Sequence, residues 1–304
     1  MTTVSGGKAP TITLNNGVEM PALGLGVFRS APEETTQAVH SALTQGYRMI
    51  DTAAAYFNEE QVGEGVRRSG LDRGEVFVTT KLWLSDHGRD KTLRAFDASL
   101  RRLGTDYLDL YLIHWPDPDR WEDTVASYQA MEELLAEGRV RAIGVCNQVP
   151  LRLEELLRRT EVVPAVNQIE LQPFFNQARS RALHERLGVV TQSWAPLGGG
   201  RTFNATPADP STATTVLTAE PVAALAARHG KTPAQIVLRW HLQHNLAVIP
   251  KSVKPERIAQ NIDIFGFTLS NEDMAAIDAL TTAVRGGPDP EVFHLSLFPV
   301  TVEN

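Results

Sequence analysis

Eight short apolar runs recur along the chain, separated by longer stretches of helical periodicity, and this alternation limits the fold more than any other feature. The runs are Ala22–Leu25, Arg48–Asp51, Val76–Lys81, Leu108–His114, Val140–Val145, Ala165–Glu170, Val189–Ala195 and Ala247–Lys251. Pro32–Gln45 opens on proline and stops at Gly46, and Asp90–Leu103 carries Leu93, Phe96, Leu100 and Leu103 ahead of Gly104. Thr124–Glu137, Leu151–Thr160, Gln177–Leu187 and Pro255–Ile262 repeat the pattern. Strands that alternate with helices pair in parallel, because only a crossover returns the chain to the same edge. Eight such units are expected to close into an α/β fold of the (β/α)8, or TIM-barrel, type. Thr218–Asn245 holds two helical patterns broken near Gly230, and Ser270 opens another, so the barrel is expected to carry two extra helices.

Ahead of the barrel, Thr11–Leu14 and Val18–Met20 flank Asn16-Gly17. Asn-Gly favours a type I′ turn, which predicts a β-hairpin capping the bottom of the barrel. Gly198–Thr215, rich in Gly, Pro, Ser and Thr, reads as a long loop. No linker divides the chain, so residues 1–304 are expected to form one domain, with 1–10 flexible and 282–304 crossing the mouth. A doubly wound dinucleotide fold would want G-x-G-x-x-G. Gly24-Leu-Gly26-Val-Phe-Arg29 has arginine at the third glycine, and Gly63-Glu-Gly65 ends in Arg68, so that fold is discounted.

Twenty-nine Lys and Arg against 36 Asp and Glu leave a net charge of −7, which argues against nucleic-acid binding. The single cysteine, Cys146, excludes an intrachain disulfide and a thiolate-rich metal site. H-x-H and H-E-x-x-H are absent, and no metal is expected. There is no long apolar run for a membrane span, and MTTVSGGKAP has no apolar signal core, so a cytoplasmic protein is expected.

Side chains at the carboxyl ends of barrel strands share one mouth. Reading those ends in order gives Asp51, Lys81, His114, Asn147 and Gln168. Each alone has an ordinary explanation: a cap, a snorkelling lysine, a hydrogen-bonded histidine, a satisfied amide.

Together they sit in motifs. Asp51-Thr-Ala-Ala-Ala-Tyr56-Phe-Asn-Glu-Glu-Gln-Val-Gly63 resembles the signature of the aldo-keto reductase superfamily. So, in the same order, do Thr80-Lys81-Leu-Trp83, Leu110-Tyr-Leu-Ile-His114-Trp115-Pro116, Gly144-Val-Cys146-Asn147 and Val166-Asn167-Gln168-Ile-Glu170-Leu. Ile249-Pro250-Lys251-Ser252-Val-Lys-Pro-Glu-Arg257-Ile-Ala-Gln-Asn261 completes the series, so the likeness runs from about Gly24 to Asn261. Cys146, the Asn-Gly hairpin and Gly287-Pro-Asp-Pro resemble the bacterial 2,5-diketo-D-gluconate reductase-like branch.

The resemblance implies NADPH-dependent reduction of aldehydes and ketones by a tetrad of Asp51, Tyr56, Lys81 and His114. Tyrosine, with a pKa of about 10, is a poor acid near neutrality unless its phenolate is stabilised. Lys81 is expected to do that by charge, Asp51 to keep Lys81 cationic, and His114 to position the substrate carbonyl. For the cofactor, NADPH/NADP+, the resemblance implies Gly26, Val27, Asn147, Gln168, Trp194, Ala195, Leu197, Lys251, Ser252, Val253, Arg257 and Asn261. Asn147 and Gln168 would bind the nicotinamide carboxamide, beside Cys146 where the family usually has serine. Trp194 would stack on the ring where many members have tyrosine. Lys251, Ser252 and Arg257 suit an adenosine 2′-phosphate, which favours NADPH over NADH. Asn261 would reach the adenine, with Gln260 where an acidic residue is common. Phe28, Trp83, His114 and Trp115 would line the substrate mouth, under the apolar tail with Phe293, Leu295, Leu297 and Phe298. The expected partner is a small carbonyl compound met by a monomer. The alternative is a non-catalytic NADPH-binding sensor or auxiliary subunit, for which an intact tetrad would be superfluous.

Overall fold

The computed structural model describes residues 7–200 and 215–302. It opens on an antiparallel hairpin of β1 (Thr11–Thr13) and β2 (Glu19–Pro21). Then follow β3 (Leu25–Gly26), α1 (Pro32–Thr44), β4 (Met49–Asp51), α2 (Glu59–Arg68), β5 (Phe77–Leu82), α3 (Arg89–Leu103), β6 (Leu108–Ile113) and α4 (Trp121–Ala136). The second half holds β7 (Val140–Cys146), α5 (Pro150–Leu157), β8 (Val166–Glu170), α6 (Ala178–Leu187), β9 (Val190–Trp194), α7 (Glu220–His229), α8 (Pro233–Gln243), β10 (Ala247–Val248), α9 (Pro255–Ile262) and α10 (Asn271–Asp278).

Among the described residues, β3 to β10 form an eight-stranded sheet in sequence order, every pair parallel. Bridges Leu23 to Val248 and Gly26 to Lys251 join its two edges and close the barrel. The expected fold is therefore the observed one, with helices beyond the eight repeats. Two of these are capped by a reciprocal box, Thr232 with Gln235 and Ser270 with Asp273.

The hairpin plugs the amino-terminal ends of the strands. Asn16 Nδ2 donates to Arg141 O at 2.9 Å, and Asn15 Nδ2 to Pro164 O at 3.2 Å. Its turn is not type I′. Gly17 has φ +84 but Asn16 does not have a positive φ, and Leu14 N meets Val18 O at 2.9 Å. The loop is thus three residues long, ending on a left-handed glycine, and Asn16 is used to reach the barrel instead. Residues 1–6 lie outside the described residues. The rest of the segment read as flexible is paired: Lys8 N donates to Gly46 O at 3.0 Å, and Ala9 is buried. Of the long loop read at Gly198–Thr215, residues 201–214 lie outside the described residues, as do 303–304 of the tail.

Helix α2 escaped the periodicity reading, because Gly63 and Gly65 depress helix propensity. The packing needs them. A Cβ at Gly63 would stand 2.1 Å from Leu103 O on α3, and one at Gly65 would stand 2.6 Å from Val39 Cβ on α1.

Strand alternation separates two cores. Met49, Phe77, Leu110, Leu112, Ala142, Cys146 and Val166 fill the barrel with Leu14 and Met20 of the hairpin. Ile50, Val78, Tyr111, Ile143 and Val145 face outward against the helices, with Val39, Phe96 and Met131. No helix of the described residues is long and apolar enough to cross a membrane.

Candidate active site

The same two-residue period gathers the polar strand ends. Met49 and Phe77 point inward, so Asp51 and Lys81 do; Leu112 is inward and His114 follows on that face. Val166, Gln168 and Glu170 share one face of β8, and Gln192 and Trp194 share one face of β9.

Lys81 is wholly buried and donates to Asp51 Oδ1 at 2.5 Å and to Thr52 O at 2.8 Å. The other Asp51 oxygen accepts from Gln168 Nε2 at 2.7 Å, and the same amide reaches Gln192 Oε1 at 2.7 Å. Asp51 itself feels burial first, which raises it, against the pull of Lys81 and Gln168. For Lys81, burial is the largest single influence and favours the neutral amine, but the charge and hydrogen bond of Asp51, joined by Tyr56 and Cys146, together outweigh it and hold the ammonium above its ordinary value.

Tyr56 ends a single 3-10 turn, Ala54–Tyr56, which closes on Phe57 in the left-handed region at φ +55. The following Asn58 is buried and anchors this turn: its Nδ2 donates to Val27 O at 3.0 Å, and its Oδ1 accepts from Thr52 Oγ1 at 2.7 Å. The Tyr56 hydroxyl thereby stands 3.4 Å from His114 Nε2, and Lys81 Nζ lies 5.1 Å from the Tyr56 ring centre. Removal of the phenol from water pushes Tyr56 up to about 12; the Lys81 charge opposes this rise, and Asp51 adds to it. Lys81 thus acts on the phenol in the expected sense, favouring the phenolate, while burial acts in the opposite sense and is the larger influence. Burial, reinforced by Lys81, also holds His114 well below the ordinary histidine range, as a neutral imidazole.

Asn147 follows β7 at φ +60, which swings its side chain toward the mouth. Its Nδ2 donates to His114 O at 3.0 Å, and its Oδ1 accepts from Trp194 Nε1 at 2.8 Å. Gln168, expected to face a ligand, has its amide nitrogen committed to Asp51 and Gln192. Gln192 went unread in the sequence, because a glutamine inside an apolar strand carries no local mark. Gly26 and Val27 lie at the barrel seam, where Val27 N donates to Asp51 O at 3.2 Å. Ala195 is left-handed at φ +49, and Leu197 packs on the core. Lys251 and Arg257 are exposed, Val253 is half-buried, and Ser252 and Asn261 are buried, all on the loop after β10 and on α9. Ser252 Oγ accepts from Lys254 N at 3.1 Å, which fixes that loop. No ion pair of Lys251 or Arg257 is found among the described residues.

Aromatic rings surround the mouth. The Phe28 ring centre is 5.0 Å from that of Tyr56, and the Trp83 ring is 5.1 Å from His114. Trp115 stacks at 4.1 Å on Phe293 of the tail, and Trp83 Nε1 donates to Val300 O at 2.8 Å. Cys146 is buried on the inward face, where burial pushes its thiol up. Among the described residues no group of three or more His, Cys, Asp or Glu stands where it could hold a metal ion.

Residues 22–282 match the Aldo/keto reductase family. The chain is 54% identical over 293 residues to the morphine 6-dehydrogenase of Pseudomonas putida, covering 96% of this chain and 98% of that protein. A crystal structure of an aldo/keto reductase from Brucella melitensis superposes with a TM-score of 0.82 at 44% identity, covering 90% of this chain and 99% of that one. The Bombyx mori aldo-keto reductase in complex with NADP superposes with a TM-score of 0.85 at 38% identity, covering 92% of this chain and 95% of that one. The chain therefore belongs to the aldo/keto reductase family of oxidoreductases.

Proposed function

We propose that this protein reduces aldehydes and ketones with NADPH, with Tyr56 as the proton donor. The observation that carries the reading is the convergence of four side chains from separate segments: Asp51 on Lys81 at 2.5 Å, Lys81 beside the Tyr56 ring, and the Tyr56 hydroxyl 3.4 Å from His114.

The residues present fit the cofactor. Exposed Lys251 and Arg257, with no carboxylate partner among the described residues, suit an additional phosphate, and Gln168 Oε1, which its contacts with Asp51 and Gln192 do not use, suits a carboxamide beside Asn147. The NADP complex of the Bombyx mori relative supports the choice. When bound, the cofactor supplies the hydride.

The protein's own groups do the rest. A carbonyl oxygen placed between the Tyr56 hydroxyl and His114 Nε2 meets both, and the neutral imidazole orients it without adding a positive charge. As negative charge gathers on that oxygen, the Tyr56 proton moves to it. The phenolate left behind is stabilised by the Lys81 ammonium, which Asp51 keeps charged. Lys81 thus acts on the product of proton transfer, and burial keeps the proton in place beforehand. Trp83, Trp115 and Phe293 exclude water and offer flat apolar walls, which suits a carbonyl on a ring or other apolar body. In the opposite direction the same groups would take a proton from an alcohol, in keeping with the relative from Pseudomonas putida being a dehydrogenase by name.

Loss of reduced-nicotinamide absorbance with an aromatic aldehyde tests the reading. Steady consumption that needs both aldehyde and NADPH is expected. Cofactor binding without turnover across a panel of aldehydes and ketones would favour the sensor alternative.

A further inference from the structure

The carboxyl end of β8 carries a buried carboxylate that this reaction does not use. Glu170 lies two residues beyond Gln168 on the inward face, at the rim, and is 3% exposed. One of its oxygens accepts the backbone N–H of Gly286 at 2.7 Å and the other that of Gly287 at 2.9 Å. These donors lie more than a hundred residues downstream, where the chain leaves α10 and turns across the mouth. Nearby, Thr282 donates from N at 2.8 Å and from Oγ1 at 3.0 Å to Phe174 O, fastening the same turn.

The two glycines leave no spare room. A Cβ at 286 would stand 2.8 Å from Glu170 Oε1, and one at 287 would stand 2.5 Å from Trp194 Cη2. Gly287 therefore sits against the edge of the Trp194 indole. That indole donates to Asn147 Oδ1 at 2.8 Å, and Asn147 in turn donates to His114 O at 3.0 Å. Downstream, the segment supplies Phe293, which stacks on Trp115 and on Phe298 with ring centres at 4.1 Å in each case. One clasp thus stands at the root of two features of the mouth: an aromatic wall made by the tail, and a ring that holds Asn147.

We propose that Glu170 is a positioning residue whose carboxylate clasps Gly286 and Gly287, holding the tail over the mouth and setting affinity for the carbonyl substrate. The proposal rests on the carbonyl-reductase reading. The carboxylate suits the task because it is acceptor-only and meets two backbone donors at once. Burial raises Glu170, while the two backbone donors and the Arg285 charge act in the opposite sense. An amide in its place offers one acceptor and turns an N–H toward another N–H, leaving a backbone donor buried and unpaired. With both oxygens taken up by the tail, Glu170 takes no part in proton transfer.

The test is Glu170→Gln in the full chain, read first by hydrogen exchange of the peptide spanning 283–302, without substrate. Exchange there should quicken about tenfold or more as the clasp opens locally. KM for an aromatic aldehyde should rise about tenfold, the size of one lost charge-assisted hydrogen bond, with kcat changed less than about threefold. Glu170→Asp, which keeps charge and both oxygens, should recover part of the KM. Gly287→Ala should show the same pattern by displacing the turn from Trp194, and it carries the test if Glu170→Gln does not fold. Combining Glu170→Gln with Gly287→Ala should be no worse than the poorer single variant. Unchanged exchange in 283–302, or a fall in kcat at constant KM, would overturn the proposal. A wild-type protein inactive on every carbonyl would instead sink the functional reading and leave the exchange result standing.

Discussion

Asp51→Asn should destabilise the protein by about 3–5 kcal/mol, because it strands a wholly buried ammonium. Lys81 Nζ meets Asp51 Oδ1 at 2.5 Å and otherwise a neutral carbonyl, Thr52 O, at 2.8 Å. Lys81→Met should cost a similar amount by stranding the Asp51 carboxylate, which would keep only the neutral Gln168 amide. Were the effects independent, the double variant would lose about 6–10 kcal/mol, comparable to the whole stability of an ordinary domain. Both charges are gone in Asp51→Asn/Lys81→Met, however, so its loss should be only about 0–2 kcal/mol, a coupling of at least about 4 kcal/mol. Urea unfolding followed by tryptophan fluorescence measures this, without NADPH, because a bound cofactor adds stability by mass action. At roughly 2–4 °C per kcal/mol, the single variants should also melt well below the double. Turnover should be lost in all three, because none retains both a charged Lys81 and its partner. A double variant as unstable as the sum of the singles would refute the buried ion pair as the organising contact. A stable but inactive double variant separates its structural role from its chemical one.

Tyr56→Phe should lower kcat for an aldehyde by about 10^2–10^4-fold while leaving the NADPH dissociation constant nearly unchanged; survival of wild-type turnover would remove Tyr56 as the acid. Arg257→Ala should weaken NADPH by about 1.5–3 kcal/mol and NADH hardly at all, measured by fluorescence titration; equal losses would count against a phosphate contact. Burial holds His87 at about 3 and both His184 and His241 at about 4, against about 6.5 for an unfolded imidazole. Their folded values are depressed, so the stability tied to them is present above pH ~6.5 and lost as pH falls toward 4, by about 2 kcal/mol for each at pH 5. Urea midpoints should drop steeply from pH 7 to pH 5, and a flat profile would contradict the burial of these rings in neutral form.

The sequence alone determined the barrel, since eight short apolar runs alternating with stretches of 3.6-residue period imply parallel strands joined by helical crossovers. It also placed Asp51, Lys81 and His114 at one mouth, because each stands at the carboxyl end of a barrel strand. Where the local signal was contradictory, the reading failed: α2 stayed hidden behind Gly63 and Gly65, whose reason for being there is Leu103 and Val39 on neighbouring helices. Only the tertiary structure decided that Gln168 spends its amide nitrogen on Asp51, that burial outweighs Lys81 at the Tyr56 hydroxyl, and that Glu170 grips the turn at Gly286. Hydrogen-bond partners and desolvation depend on which distant groups share a dry interior, and no window of sequence contains both members of such a pair.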